Sequence, residues 1–402
     1  MHSHKIFKIV LVASIIIRLY LAICTEGTYD ITIWEKHANN IIKLGLTEYY
    51  KQTVDDELTF NHPPFAGELA VAILTVSKYT SIEFKILFRL LFSTLDYVIA
   101  FYIYKLLIDN KYKLFYVGLF LMDPITFVFS AYHGNTDTSL GLFIVLSIYF
   151  ISRQKFISAG IAFGLGVWVK WIIVLALPAL FFAIQENRAK IRYITSLMIA
   201  ALLGYAWYLF NAPAVMINSV FGYTGQLIQT TGGIPVWGNR IVIGWLQQLV
   251  NYADDGRLVD TILSLNSLII IIAVTSHSWL QRHRTDSIGI SRTVGEVFVI
   301  FYGLSNYWSF QYFAWCSPFL LFISLPLSLL IACMYSGYIY TLYSLVCGSY
   351  LLLGKWDFVG HPGLSGTVLF FRNSAIAISL ILTFYFLGNA FIEKYQKSWT
   401  KI

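Results

Sequence analysis

The chain is 402 residues long, 57% hydrophobic and only 12% charged, with a mean hydropathy of +0.67. A soluble domain is about a quarter charged, so this composition excludes an ordinary soluble enzyme, a disordered chain, a collagen-like fibre and a disulfide-stapled secreted module. The net charge of +7 sits in short basic clusters between apolar runs, the pattern of cytoplasmic loops in a polytopic membrane protein and not of a nucleic-acid surface.

A spanning helix needs about 20 mostly apolar residues. Twelve candidate spans follow in order: 6–24, 86–107, 114–131, 137–152, 156–170, 171–185, 193–210, 258–276, 294–306, 316–333, 336–353 and 373–391. The first follows Lys5 and Lys8, contains Arg18 and has no small-residue cleavage site after it. It reads as a retained helix, not a signal peptide. Cys24, Cys316, Cys333 and Cys347 lie in or beside apolar runs without a C-x-x-C, so no zinc site or redox pair is expected. The expected fold is an all-α polytopic membrane protein, residues 1–402 forming one integral-membrane domain.

Six basic clusters test this threading: Lys5/Lys8, Lys105/Lys111/Lys113, Arg153/Lys155, Arg188/Lys190/Arg192, Arg282/Arg284/Arg292 and Lys394/Lys397/Lys401. With twelve spans all six fall on one side, the cytoplasmic one. The segment 25–85 then lies outside, and its acids at Glu26, Asp30, Glu35, Glu48, Asp55, Asp56 and Glu57 agree with that. Ile31, Trp34, Ala38, Ile41 and Ile42 recur at helical spacing, predicting an amphipathic surface helix from about Asp30. The run 65–80, introduced by Pro63-Pro64 and containing Glu68, reads as a second helix at the outer interface. Residues 211–257 form a second outer segment.

Polar groups near the outer ends of spans invite explanation. They are Asp30, His62, Arg89, the string His133-Gly134-Asn135-Thr136-Asp137, Lys170, Arg240 and Gln311-Tyr312. Each has a plainer reading: Asp30 as a helix cap, His62-Pro63-Pro64 as a stiff turn, Asn135 and Asp137 as caps, Lys170 as a snorkelling lysine. The threading nonetheless turns all of them toward one compartment, as a single outward-facing site requires.

The ordered set of motifs resembles the GT-C glycosyltransferases, integral-membrane enzymes that use polyprenyl-phosphate sugars. Gly27-Thr28-Tyr29-Asp30 with Trp34 and Ala38, then Gly45, Tyr49-Tyr50 and His62-Pro63-Pro64, is similar to the family's first outer loop. Arg89-Leu90, the His133–Asp137 string, Val169-Lys170-Trp171, Pro235-Val236-Trp237-Gly238 and Gln311-Tyr312-Phe313-Ala314-Trp315 with Pro318 match later landmarks. The resemblance covers roughly residues 1–320, with mannosyltransferase-like members nearest. It implies transfer of a hexose, mannose favoured, from a dolichyl or undecaprenyl phosphate to an acceptor hydroxyl, with inversion. Asp30 would be the catalytic base, Lys170 and Arg240 would hold the lipid phosphate, and His133, Asn135, Asp137, Gln311, His62 and Arg89 would bind substrate. Thr32 stands where metal-using relatives carry the second aspartate of an Asp-x-Asp, so neither metal nor other cofactor is expected. The implied partners are the polyprenyl-phosphate-linked donor, a lipid-linked or glycan acceptor and membrane lipids, without nucleic acid. A prokaryotic plasma membrane is the favoured setting, ahead of an endoplasmic reticulum. Two rival readings remain, a transporter or flippase for a lipid-linked solute and a non-catalytic scaffold subunit. The charges at Arg18, Asp96 and Asp123 suit the first of these.

Overall fold

The computed structural model describes residues 2–52, 60–221, 264–305, 309–357 and 363–399. All regular structure among them is helical. In chain order the elements are α1 (His2–Cys24), α2 (Tyr29–Leu44), α3 (Leu46–Gln52), α4 (Pro64–Thr80), α5 (Phe84–Leu106), α6 (Lys113–Met122) and α7 (Pro124–Phe127), the last continued by a π-helical turn (Val128–His133). Then come α8 (Asp137–Ser152), α9 (Phe156–Val169), a 3-10 turn (Trp171–Ala176) leading into α10 (Leu177–Ala183), α11 (Asn187–Asn211) and α12 (Pro213–Met216). After residue 264 follow α13 (Asn266–Leu280), α14 (Ser287–Leu304), a 3-10 turn (Phe310–Trp315), α15 (Ser317–Leu320), α16 (Leu325–Val346) and α17 (Gly366–Trp399).

Six of the described helices are long and apolar enough to cross a membrane, or seven if the bent pair α6–α7 with its π-helical turn is one broken span. Four more apolar helices, Asp137–Ser152, Phe156–Val169, Trp171–Ala183 and Asn266–Leu280, are shorter. The polytopic all-helical class read from composition is therefore the class observed. The two spans expected at 316–333 and 336–353 are not two helices. Ser324, extended at φ −163°, and Pro326 in the first turn start one helix, α16, which runs through to Val346. The second expected span begins at Ser336, which lies in mid-helix with Gly337 for packing reasons. Ser336 Oγ donates to Asp123 Oδ1 at 2.6 Å, and Gly337 lets the Phe371 ring approach to where a Cβ would stand 2.5 Å away. Before α16 the chain descends as an irregular segment antiparallel to it: Phe310 lies 5.6 Å from Tyr343, Phe313 lies 4.1 Å from Tyr335, and Ser328 Oγ donates to the Leu320 carbonyl. Non-helical backbone at such depth is tolerable only inside protein, and Trp315, Cys316 and Phe319 are fully buried.

The bend between α6 and α7, 46°, has a local cause. Pro124 lacks the N–H that would reach the Phe120 carbonyl, and the Ile125 N–H is diverted to Asp123 Oδ1 at 3.0 Å. Two carbonyls lose their helical partners. Thr126 Oγ1 donates to that of Phe120 at 3.0 Å, and Arg18 Nη1 to that of Leu121 at 2.8 Å. Arg18 also pairs with Asp96 at 3.1 Å, and Ser130 donates to the same Asp96 oxygen. The mid-bundle charges that suited a transporter are thus occupied in closing a helix break.

Residues from α2, α3, α4 and the first half of α5 share a second, smaller core that includes Trp34, Tyr49, Phe60, Leu74 and Phe88. As expected, Ile31, Trp34, Ala38 and Ile41 of α2 face inward. Ile42 is instead 48% exposed, and His37 takes an inward position. The inward stripe follows the 3.6-residue period, and Ile42 lies one step, about 100°, beyond Ile41. Helices α9 and α11 pack closely because Gly160 and Gly164 leave room for the α11 backbone: Cβ atoms there would meet Tyr193 O at 2.3 Å and Leu197 O at 2.7 Å. Small residues allow such approach between membrane helices, and here the contact fixes the end of α9 that carries Lys170.

Candidate active site

Asp30 sits in the first turn of α2, but the cap position belongs to Thr28, which makes no side-chain capping bond. The Asp30 carboxylate turns to the bundle, where its Oδ2 meets His133 Nε2 at 2.8 Å. An ionised carboxylate only accepts, so the imidazole donates. His133 is 1% exposed and Asp30 42%, so the carboxylate bridges the packed core and open space. His133 Nδ1 in turn meets the Tyr343 hydroxyl from α16.

Two glycines make this meeting sterically feasible. Gly27 at φ +79° and Gly134 at φ +62° occupy the left-handed region, which costs glycine little. A Cβ on Gly27 would lie 2.9 Å from the Tyr132 carbonyl, and one on Gly134 would lie 2.8 Å from Arg89 Cγ. Arg89 itself is committed to backbone and threonine oxygens. Its Nε donates to the Lys85 carbonyl, Nη1 to the Leu21 carbonyl and Thr25 Oγ1, and Nη2 to the Thr25 carbonyl, all at 3.0–3.1 Å. It therefore ties off the end of α1 and anchors the loop from which Asp30 springs.

A second constellation surrounds the start of α8. Asp137 is fully buried, and its Oδ1 accepts from Lys170 Nζ and Trp315 Nε1, each at 2.5 Å. Its Oδ2 has no partner among the described residues. Its place in the first helical turn favours a negative charge. Lys170 closes α9 and remains 17% exposed, its ammonium 5.9 and 5.8 Å from the Tyr312 and Trp315 rings. Those rings stack at 4.1 Å. Asn135 joins the two constellations: its Oδ1 accepts from the Asp137 N–H at 3.1 Å, and its Nδ2 lies 3.4 Å from His133 Nε2. Both Asn135 and Asp137 thus serve the helix start as well as the polar cluster. Gln311 shares the turn with Tyr312 and Trp315 and is half-buried. Arg240 and the Pro235–Gly238 landmark lie outside the described residues.

His62 stacks obliquely on Trp34 at 4.4 Å and is half-buried, with its backbone carbonyl accepting from the Tyr50 hydroxyl at 2.5 Å. Burial first, then the charge of Lys170 and then His37, pushes the His62 imidazole well below its ordinary value, so it is neutral at pH 7. At Asp30 burial works upward, but the charge and hydrogen bond of His133 and the charge of Lys170 outweigh it and hold the carboxyl below 3.8. Asp30 is therefore ionised at neutral pH, as a proton acceptor must be.

The structure brings together Asp30, His133, Asn135, Asp137 and Lys170, with His62 within electrostatic reach. Sequence reasoning missed Tyr343, which looks like one more aromatic in an apolar run and lies 210 positions from His133. It also missed the duty of Trp315, although the Gln311–Trp315 motif had drawn attention to that turn.

The helical bundle is that of a polytopic membrane protein, and its polar end gathers one open cluster of ionisable side chains. No family model matches the chain. Over 135 residues it is 26% identical to GPI mannosyltransferase 1 of Saccharomyces cerevisiae; the stretch covers 31% of this chain and 33% of that protein. The match thus spans about a third of the relative's length. With the polytopic helical fold, it supports a mannosyltransferase-like GT-C membrane glycosyltransferase.

Proposed function

We propose that the chain transfers a hexose from a polyprenyl phosphate to an acceptor hydroxyl in a single inverting displacement. The observation that carries this reading is the half-exposed, ionised Asp30 carboxylate, held by His133 at the same end of the bundle as Lys170. Asp30 takes the acceptor proton as the acceptor oxygen bonds to the anomeric carbon. The bond from that carbon to the phosphate oxygen breaks, and the leaving lipid phosphate carries the negative charge. Lys170 lies where it can meet that charge, and Arg240 is its proposed companion. Asp137, buried against Lys170 and Trp315, is poorly placed to attack carbon, which favours one displacement over two. Cations, rather than a divalent metal, are proposed to neutralise the phosphate. His62, Asn135 and Gln311 are proposed to contact sugar or acceptor.

The helix directions support an outer or lumenal site. Asp137 opens α8 at the site end, whereas Arg153 and Lys155 follow its other end; Arg284, just before α14, and Arg292, in its second turn, both pair with Glu296 at mid-helix. Under the positive-inside rule that basic end is cytoplasmic. The relative's name makes mannose the first sugar to try. The test uses the full-length protein in lipid nanodiscs, given radiolabelled polyprenyl-phosphate hexoses and glycan or glycolipid acceptors, before and after exhaustive chelation. Transfer with inverted anomeric configuration that survives chelation is expected. Transfer only from a nucleotide sugar overturns the donor, retention of configuration overturns the single displacement, and rescue by magnesium or manganese overturns the cation-held phosphate.

A further inference from the structure

The two oxygens of Asp30 have unequal settings. Oδ2 is held by His133, whereas no hydrogen bond is made by Oδ1 among the described residues. What fixes His133 therefore fixes the direction in which the free oxygen points. An imidazole nitrogen that meets an ionised carboxylate must carry its proton, and the partner of the other nitrogen fixes the plane of the ring. Because Oδ2 accepts, Nε2 carries a proton, while Nδ1 is held by the Tyr343 hydroxyl. Asn135 Nδ2, 3.4 Å from Nε2, does not compete with a charge-assisted bond of 2.8 Å. Its amide is already oriented by the Asp137 N–H.

The surroundings suit such a clamp. The imidazole is enclosed by Phe129, Phe310 and Tyr343, with ring centres 5.8–6.2 Å away. Tyr343 is itself fully buried and packs edge-on against Phe129 and Phe310. The Thr28 hydroxyl reaches the His133 carbonyl at 3.4 Å, so the loop before Asp30 is tied to the same residue. Three separate elements, α2, the turn after α7, and α16, thereby converge on one carboxylate.

We propose that Tyr343 and His133 form a positioning relay: the Tyr343 hydroxyl fixes the ring orientation of His133, whose Nε2–H aims the free Oδ1 of Asp30 at the acceptor hydroxyl. This rests on the reading of Asp30 as the base. Neither relay residue touches the reacting atoms, and no proton passes along them. The charged and titratable groups facing Asp30 are His133, Lys170 and Tyr343.

The experiment compares full-length wild type, Tyr343→Phe, His133→Gln and Asp30→Asn. Tyr343→Phe removes one oxygen from a buried ring and should lower kcat roughly 10- to 100-fold, the loss seen when the partner that orients a metal-ligating histidine is removed, with KM for the donor little changed. The acid limb of its kcat–pH profile should move upward, because a carboxylate whose hydrogen-bond donor is no longer fixed binds its proton more readily. A second readout needs no turnover. In ¹⁵N-histidine-labelled protein, the resonances absent from His133→Gln identify His133, which should show one fixed, Nε2-protonated state in wild type and lose that single state in Tyr343→Phe. A wild-type His133 without a proton on Nε2, or a Tyr343→Phe enzyme with wild-type kcat and an unmoved acid limb, overturns the relay. Normal turnover by folded Asp30→Asn instead overturns the base reading, and with it the purpose given to the relay.

Discussion

Two clusters of buried charge in this molecule look alike in composition and differ in what they leave unused. In the middle of the bundle, Arg18 and Asp96 are each 2% exposed, and their partners are carbonyls and hydroxyls of the broken helix. At the site end, Asp30 is 42% exposed with one oxygen free, and Asp137 keeps an unpartnered Oδ2 beside a partly exposed Lys170. The first cluster is closed and sealed. The second holds spare hydrogen-bonding capacity and has access to the outside, which is what a substrate needs. Charge at membrane depth is therefore a weak signal of function until its partners are counted.

Breaking the closed cluster should unfold the protein before it changes its chemistry. Arg18→Leu strands Asp96 and the Leu121 carbonyl, and removing one partner of a buried ion pair costs about 3–5 kcal/mol. We expect a large drop in thermal stability in detergent, with turnover per folded molecule changing far less. A stable Arg18→Leu protein with lost turnover would reverse the two roles.

Breaking the open cluster should do the opposite. Lys170→Met is expected to slow transfer by about 10²–10³-fold, the usual loss when one group facing transition-state charge is removed. Lys170→Arg should recover part of that rate, since a guanidinium can also pair with Asp137. Steady-state kinetics of both variants, beside their melting curves, would sharpen the contrast. Equal rates for Lys170→Met and wild type would make the lysine a purely structural partner of Asp137.

The smallest effect belongs to the second, smaller core around Trp34 and Tyr49. Burial lowers the His37 imidazole from 6.5 to about 4, and its Nδ1 lies 2.7 Å from the Tyr49 hydroxyl. The folded state thus prefers neutral His37, and its stability is complete above pH 6.5 and falls as the pH drops toward 4. The slope is about 1.4 kcal/mol per pH unit at most. Hydrogen exchange in α2 and α4 should quicken over that window in wild type and less so in His37→Asn. An identical pH response in the two proteins would remove His37 from the account.

Much of this architecture was legible because long apolar runs and basic clusters are one-dimensional signals. The spans near 6–24, 86–107, 137–152 and 193–210 reappear as α1, α5, α8 and α11. The span pair after 316 failed because the chain packs first as an irregular segment and then as one helix, Leu325–Val346, against it, an arrangement that exists only in three dimensions. The same limit applies at the site. The Gly27–Asp30 and His133–Asp137 motifs could be read from order and residue type. That His133 orients Asp30, that Asp137 holds Lys170, and that Arg89 serves backbone oxygens depend on contacts across 33 to 103 positions. Tyr343 carried no signal, since a functional hydroxyl and a packing ring are the same letter.

The account rests on Asp30 as an ionised base, and Asp30→Asn tests it directly. Donor binding and single-turnover transfer should be measured on the same folded preparation in nanodiscs. General-base catalysis is worth about 10²–10⁴-fold, so we expect donor affinity close to wild type and a transfer rate reduced by that factor. A folded Asp30→Asn protein that binds donor and transfers sugar at the wild-type rate would contradict the account.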